Sequence, residues 1–241
     1  MNHPTTKQAL ITGASSGIGK ATALAFAAEG INLALVSRES ENLEAVAAAA
    51  RAVGVKAEAY PLDLAKIEQV QSSISAIAAQ LGSVDILVNS AGMGYTGSLT
   101  ETPLAEWQSV LDLNLTSVWQ CILGVLPSMR DRRSGIIINV SSIAGTQAFP
   151  NWGAYCVSKF GLMALSKTLA AEERVHGIRV TAICPGSVNT PLWDTDTVDA
   201  DFDRTAMLTP EIVAQSILHA VQLPASAVIE EITLMSNAGV L

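Results

Sequence analysis

Seven short runs of β-type residues recur along the chain: "QALIT", "INLALVS", "VKAEAYPL", "VDILVNS", "GIIINVSS", "GIRVTAICP" and "AVIEEITLM". Between the first six lie segments of helical pattern, Gly17 to Glu29, Glu41 to Val53, Ile67 to Gln80, Leu104 to Arg130 and Gly153 to His176. Strands of consecutive Val, Ile and Leu bury both faces, which calls for a parallel sheet with helices on either side. Right-handed crossovers then favour a doubly wound α/β sheet of Rossmann type, about seven strands in a single domain spanning residues 1–241. No proline-rich linker or low-complexity run marks a boundary. One segment breaks the rhythm: Pro191 to Pro210 carries five Asp and no clear periodicity. A connection this long is expected to be a functional lid or a disordered loop.

Charge narrows the partners. Lys and Arg total 14 against 22 Asp and Glu, a formal charge of −8, so no basic footprint points to nucleic acid or an anionic membrane. The cysteines, Cys121, Cys156 and Cys184, are odd in number and lack metal-ligand spacing, so no metal is expected and the thiols read as reduced ones in a cytoplasmic protein. The start "MNHPTTKQ" lacks a secretory pattern, and no stretch approaches 18 uninterrupted apolar residues, so a soluble protein is expected despite 49% hydrophobic residues.

The stretch "TGASSGIGKAT" fits two phosphate-binding patterns at first sight. Aligned as a nucleoside-triphosphate loop on Gly19-Lys20, it puts Ala14 where the first glycine belongs and Ala21 where the magnesium-binding hydroxyl belongs. Aligned as T-G-x-x-x-G-x-G, with Thr12, Gly13, Gly17 and Gly19 after the strand Ala9 to Ile11, every position fits. Gly13 permits the tight turn; Gly17 and Gly19 let backbone amides approach a pyrophosphate at the helix start. Taken alone, the pattern also suits an ordinary strand-to-helix turn.

Tyr155 and Lys159 stand four residues apart on one predicted helix face. An ammonium beside a phenol stabilises the phenolate, so the Tyr155 pKa is expected to fall from roughly 10 toward neutrality, which is an acid/base device. Ser142 ends the strand "GIIINVSS" at the carboxyl edge, where open α/β sheets bind ligands. Asn114, in "LDLNLTS", is a polar residue in an apolar stretch. Asn89, Ala91 and Gly92 follow "VDILV" at the same edge. Each alone also reads as a cap, a turn or a core polar group.

Together these motifs resemble the short-chain dehydrogenases/reductases over essentially the whole chain. "TGASSGIG" is similar to that family's cofactor loop, "NSAG" at 89–92 to its NNAG motif, "NVSS" and "YCVSK" to its catalytic Ser and Tyr-x-x-x-Lys, and "PGSVNT" at 185–190 to its Pro-Gly turn. Ser90 departs from the second Asn of NNAG. The resemblance implies that Tyr155 is the general acid/base and that Ser142 bonds the carbonyl oxygen. Lys159 would tune Tyr155 and hold the nicotinamide ribose, and Asn114 would hold a relay water. It further implies cofactor contacts from Gly13, Ser15, Ser16, Gly17, Ile18, Gly19, Ser37, Arg38, Asp63, Leu64, Asn89, Ala91, Gly92, Tyr155, Lys159, Pro185, Gly186, Val188 and Thr190, with Asp63 at the adenine.

"LALVSRES" puts Ser37 where an acid would bind the adenosine ribose of NAD, and Arg38 directly after it. A carboxylate there would repel the extra phosphate of NADP, whereas Arg38 can pair with it, so NADP(H) is the expected cofactor. Arg38 also reads as a solvated charge at the helix entry, with Glu39 next to it. The expected reaction is reversible reduction of a small ketone or aldehyde, with Leu192, Trp193, Phe202, Met207, Leu208, Met93, Tyr95, Phe149 and Trp152 as pocket candidates. An acyl-carrier-protein reductase is the alternative, with Arg130, Arg132 and Arg133 as the start of a docking patch, although His176 stands where that subgroup often carries Arg. A non-catalytic, redox-sensing binder is disfavoured because Ser142, Tyr155, Lys159 and Asn114 are all present. The resemblance also implies a homodimer or homotetramer paired through the two long helices, with "SNAGVL" either at a subunit contact or frayed.

Overall fold

The structure is a computed structural model in which residues 6–239 are described; residues 1–5 and 240–241, including the last two of "SNAGVL", lie outside them. Among the described residues seven strands form one parallel sheet in the order β3-β2-β1-β4-β5-β6-β7. They are β1 (Gln8–Thr12), β2 (Asn32–Ser37), β3 (Ala57–Pro61), β4 (Ile86–Asn89), β5 (Gly135–Val140), β6 (Ile178–Pro185) and β7 (Glu231–Leu234). The order reverses between β1 and β4, where Thr12 pairs with Asn89, and at such a reversal the carboxyl ends of neighbouring strands open a crevice.

Central strands are fully buried: β5, GIIINV, exposes no residue, as expected of a strand covered on both faces. On one side α1 (Gly17–Ala28), α2 (Ser40–Ala52) and α7 (Pro210–Gln222) close a core around Phe26, Leu35 and Leu43. On the other, α3 (Ile67–Leu81), α5 (Ser117–Arg132) and α6 (Gly153–Glu173) close a second core around Leu10, Ile74 and Ile122. Large buried side chains of this kind each contribute about 1.5–3 kcal/mol. Gly124 brings α5 against α3, since a Cβ there would lie 2.7 Å from the Ile74 side chain.

Two elements differ from the sequence expectation. The long helix predicted over Leu104 to Arg130 is α4 (Leu104–Leu111), a wide π-type turn (Asp112–Thr116) and α5. The stretch Leu104–Arg132 is long and apolar enough to cross a membrane by composition, yet its Val118, Cys121, Ile122 and Val125 are packed in the core. The helix α7 is not among the helical segments expected from the sequence, although its start is written there: Thr209 caps it, its hydroxyl accepting from the Ile212 N–H at 3.4 Å, and Pro210 opens its first turn.

The 191–210 segment is not structureless. It contains two 3-10 turns, Pro191–Asp194 and Arg204–Ala206, and its base is closed by the Asn189 N–H on the Leu208 carbonyl at 2.8 Å and the Leu208 N–H on the Ser187 carbonyl at 2.9 Å. Arg204 spans its two halves, donating to Asn189 Oδ1 at 2.8 Å, Asp194 Oδ1 at 3.0 Å and the Thr190 carbonyl at 2.9 Å. The loop after β4 is stitched to it: Thr96 N–H to the Thr197 carbonyl at 2.9 Å, Thr197 Oγ1 to the Gly94 carbonyl at 2.8 Å, and Asp199 N–H to Thr96 Oγ1 at 2.7 Å.

Candidate active site

The carboxyl ends of β1, β2, β4, β5 and β6 and the 191–202 segment line a single cleft of about 390 Å³. At its floor the turn from β1 into α1 is held by backbone crowding. Gly13 adopts φ +65° with an added Cβ 2.8 Å from the Ala91 backbone, and a Cβ on Gly19 would lie 2.3 Å from the Gly13 carbonyl oxygen. Thr12 links this turn to the loop after β4, its hydroxyl accepting from the N–H groups of Ser90 at 3.1 Å and Ala91 at 3.2 Å. Ser16 precedes α1 without capping it, and the first turn holds no acidic residue. The N–H groups and positive dipole end of α1 are therefore left for an anion.

The far end of the cleft lies at the end of β2. Ser15 and Ser37 hydroxyls are 2.8 Å apart, tying the glycine loop to that strand. Arg38 is exposed and lines the cleft, with no ion-pair partner among the described residues. The adjacent Glu39 accepts from the Asn42 side chain at 2.7 Å, which turns one carboxylate oxygen toward its own helix. These features fit a dinucleotide: a side-chain-free cradle over a helix start, with hydroxyls and an exposed guanidinium at the far end of the cleft.

Near the centre, β5 delivers Ser142 and α6 delivers Tyr155 and Lys159, and all three line the cleft. Ser142 caps the short turn Ile143–Gly145, its hydroxyl accepting from the Ala144 N–H at 3.1 Å. That turn lies close on α6 because Gly145 has no side chain: a Cβ would be 2.7 Å from Ser141 Oγ and 2.8 Å from the Lys159 carbonyl. Lys159 is 5% exposed and donates to the Val140 carbonyl at 3.0 Å. Its ammonium lies 5.7 Å from the centre of the Tyr155 ring.

Electrostatics here depart from the expected downward shift of Tyr155. Burial pushes the phenol up to about 12, the Ser142 hydroxyl beside it pulling it part of the way back, while burial brings Lys159 down to about 8. Desolvation penalises the charged form of each group and outweighs the attraction expected from their i, i+4 spacing. At neutral pH Tyr155 thus holds its proton and is poised to donate it, and Lys159 is mostly charged.

Three expected residues sit elsewhere. Asn114 is fully buried in the π-type turn, its Oδ1 accepting from the Met93 N–H at 2.8 Å and its Nδ2 donating to the Met93 carbonyl at 2.9 Å and Ser158 Oγ at 3.1 Å. The side chain joins the loop after β4 to α6 through these three bonds, and Asn114 is not among the residues lining the cleft. Asn89 is 1% exposed, donates to Asn139 Oδ1 at 2.9 Å, and has an Oδ1 without a protein partner. Asp63 accepts from the Ala65 N–H at 3.1 Å within its own turn while Leu62 and Leu64 line the cleft. Of the pocket candidates, Met93, Phe149, Trp152, Leu192, Trp193 and Phe202 line the cleft, whereas Met207 and Leu208 are buried and Tyr95 packs over Gly97. Ile143 and Ser187, not singled out in the sequence, also line the cleft: Ile143 follows Ser142 directly, and Ser187 lies inside "PGSVNT".

The arginines considered as a docking patch lie at the opposite, amino edge of the sheet and are engaged there. Arg130 pairs with Glu173, whose carboxylate is 1% exposed. Arg132 donates to Asp85 at 2.7 Å and to the Val84 carbonyl at 2.6 Å, and Arg133 to the Val175 carbonyl at 2.7 Å. All three cysteines are free and buried, and no His/Cys/Asp/Glu group able to hold a metal occurs among the described residues.

Comparison with known proteins gives the same architecture. Residues 7–200 match the family described as short chain dehydrogenase. The chain is 41% identical over 183 residues to the 3-oxoacyl-[acyl-carrier-protein] reductase of Staphylococcus epidermidis, covering 76% of this chain and 75% of that one. It is 36% identical over 233 residues to the glycine betaine reductase of Emericella nidulans, covering 94% of this chain but only 18% of that much longer protein. Among solved structures, the alcohol dehydrogenase of Thermococcus sibiricus complexed with 5-hydroxy-NADP superposes with a TM-score of 0.88 at 30% identity, over 96% of this chain and 97% of that one.

Proposed function

The chain belongs to the short-chain dehydrogenases, and from that premise we propose that it reduces a ketone or aldehyde to an alcohol, reversibly, with NADPH. The observation that carries the reading is the meeting of Ser142, Tyr155 and Lys159 in the cleft that also holds the uncapped glycine turn and Arg38. When bound, the reduced nicotinamide supplies a hydride. Gly13, Gly17 and Gly19 admit the pyrophosphate, Arg38 pairs with the additional phosphate, and Thr190 and Val188 flank the nicotinamide end. Ser142 donates to the substrate carbonyl oxygen and stabilises the charge that develops on it. Tyr155 gives the same oxygen its proton; in the reverse direction it removes the proton from the alcohol. Lys159 offsets the negative charge left on the Tyr155 oxygen. Asn114 keeps α6 and the loop after β4 in register for these three.

The assay is loss of NADPH absorbance with a panel of activated ketones and aldehydes; wild-type protein that turns over none of them with either nicotinamide defeats the reading. The acyl-carrier-protein reductase alternative has the support of the Staphylococcus relative, but the arginines that would begin its docking patch are tied to Glu173, Asp85 and backbone carbonyls away from the cleft. Segment 191–210 acts as a substrate lid in this reading. Buried, free thiols support a cytoplasmic location, and exposed Trp119 on α5 and Val157 and Phe160 on α6 support a dimer or tetramer that covers them.

A pH profile follows from the two shifted groups. Lys159 carries its charge below about 8 and loses it above, whereas Tyr155, at about 12, keeps its proton through that range. The reductive kcat/KM is therefore expected to hold from pH 6 to about 8 and fall above it, and Lys159→Met is expected to be slow at every pH without that limb. A wild-type profile flat to pH 10 contradicts the assignment.

A further inference from the structure

Resting on the reading of this cleft as a carbonyl-reduction site, the geometry points to a substrate class: uncharged aryl ketones, held by an aromatic wall built from Trp152, Trp193 and Phe202. The chain has four Trp, three Tyr and four Phe, yet Phe149, Trp152, Tyr155, Trp193 and Phe202 all line this one cleft. Three of the rings continue edge-to-face from the proton donor. Trp152 meets Tyr155 with centroids 5.4 Å apart at 67°, Trp193 meets Trp152 at 5.8 Å and 72°, and Phe202 meets Trp193 at 5.3 Å and 90°. Rings so arranged present both faces and edges, the geometry in which a further ring gains beyond simple burial. Trp193 is fixed in place, its indole N–H donating to the Val188 carbonyl at 2.7 Å, so the wall is preorganised.

Charge points the same way. Among the cleft-lining residues the charged ones are Arg38, Glu39 and Lys159; the first two lie at the end of β2 and the third is at the centre beneath Tyr155. At the Trp193 and Phe202 end the lining polar groups are hydroxyls, among them Thr195. The 191–210 segment carries Asp194, Asp196, Asp199, Asp201 and Asp203, all exposed; Arg204 offsets Asp194, and the remaining four repel an anionic substrate before it enters. A substrate carrying a carboxylate or phosphate on the part held by the aromatic wall would meet acidic side chains outside and no lining cation at the Trp193 and Phe202 end, and a buried charge without a partner is strongly disfavoured.

The experiment compares acetophenone, octan-2-one and 4-acetylbenzoate in two ways: by kcat/KM with NADPH, and by calorimetric titration into protein loaded with NADP⁺, a pairing that cannot react. Acetophenone is expected to exceed octan-2-one by about three- to tenfold in both, from the added ring pairing, and 4-acetylbenzoate is expected to bind at least about a hundredfold more weakly than acetophenone. In Trp193→Ala and Phe202→Ala the preference for the aryl ketone is expected to collapse mainly through KM, with Trp193→Phe retaining most of it. Equal binding of acetophenone and octan-2-one, or binding of 4-acetylbenzoate as tight as acetophenone, overturns the inference. Turnover without aryl preference overturns it while leaving carbonyl reduction intact. Preferential aryl-ketone binding without turnover of any carbonyl upholds the wall and overturns the reduction instead.

Discussion

Tyr155→Phe is expected to lower kcat for carbonyl reduction by about a thousandfold, within the range that positioned general acids supply, while leaving NADPH binding near the wild-type value. The substitution removes one hydroxyl and keeps the ring, so the edge-to-face contact with Trp152 and the seat of Lys159 under the Val140 carbonyl survive. Burial keeps the wild-type phenol protonated up to about 12, so at neutral pH every molecule starts with the proton in place. Stopped-flow measurement of a single turnover, with NADPH affinity followed by fluorescence, separates the lost proton from any lost binding. A kcat within tenfold of wild type would remove Tyr155 from the reaction.

Cofactor choice is the second large effect. Arg38→Ala is expected to raise KM for NADPH by about 10- to 100-fold, the scale of a charge-assisted hydrogen bond, and to leave KM for NADH nearly unchanged. Adding Ser37→Asp restores the carboxylate that binds a ribose hydroxyl and repels the phosphate, so the double variant is expected to prefer NADH. The free guanidinium and the neighbouring Glu39, bonded to Asn42, favour this outcome. Steady-state kinetics with both nicotinamides decide it: wild-type preference for NADH, or an unchanged NADPH/NADH ratio in Arg38→Ala, contradicts the role.

Local pattern carried most of the fold. β1 is found over the run "QALIT" itself, and α3 at Ile67–Leu81 lies within a residue of its expected end, because strand and helix periods are written in consecutive residues. The order of the 191–210 segment is not written in its pattern because it comes from Arg204 and Leu208, which bond across the segment rather than to their neighbours, and from the loop at Gly94–Thr96, which is remote in sequence. The same limit explains the site. Spacing brought Tyr155 and Lys159 onto one helix face, but the direction of their pKa shifts depends on how much protein surrounds them, which spacing does not encode. Asn114 stands out in its apolar stretch, whereas the bonds of its amide to Met93 and Ser158 depend on the fold.

The bonds joining Thr96 to Thr197 and Asp199 have a consequence for divergence and redesign. A Cβ on Gly94 would lie 2.6 Å from the Val198 side chain, so the two loops share a single fitted surface although about a hundred positions of sequence separate them. A segment 191–210 transplanted from another member of the family is therefore expected to keep its shape only when residues 93–99 travel with it.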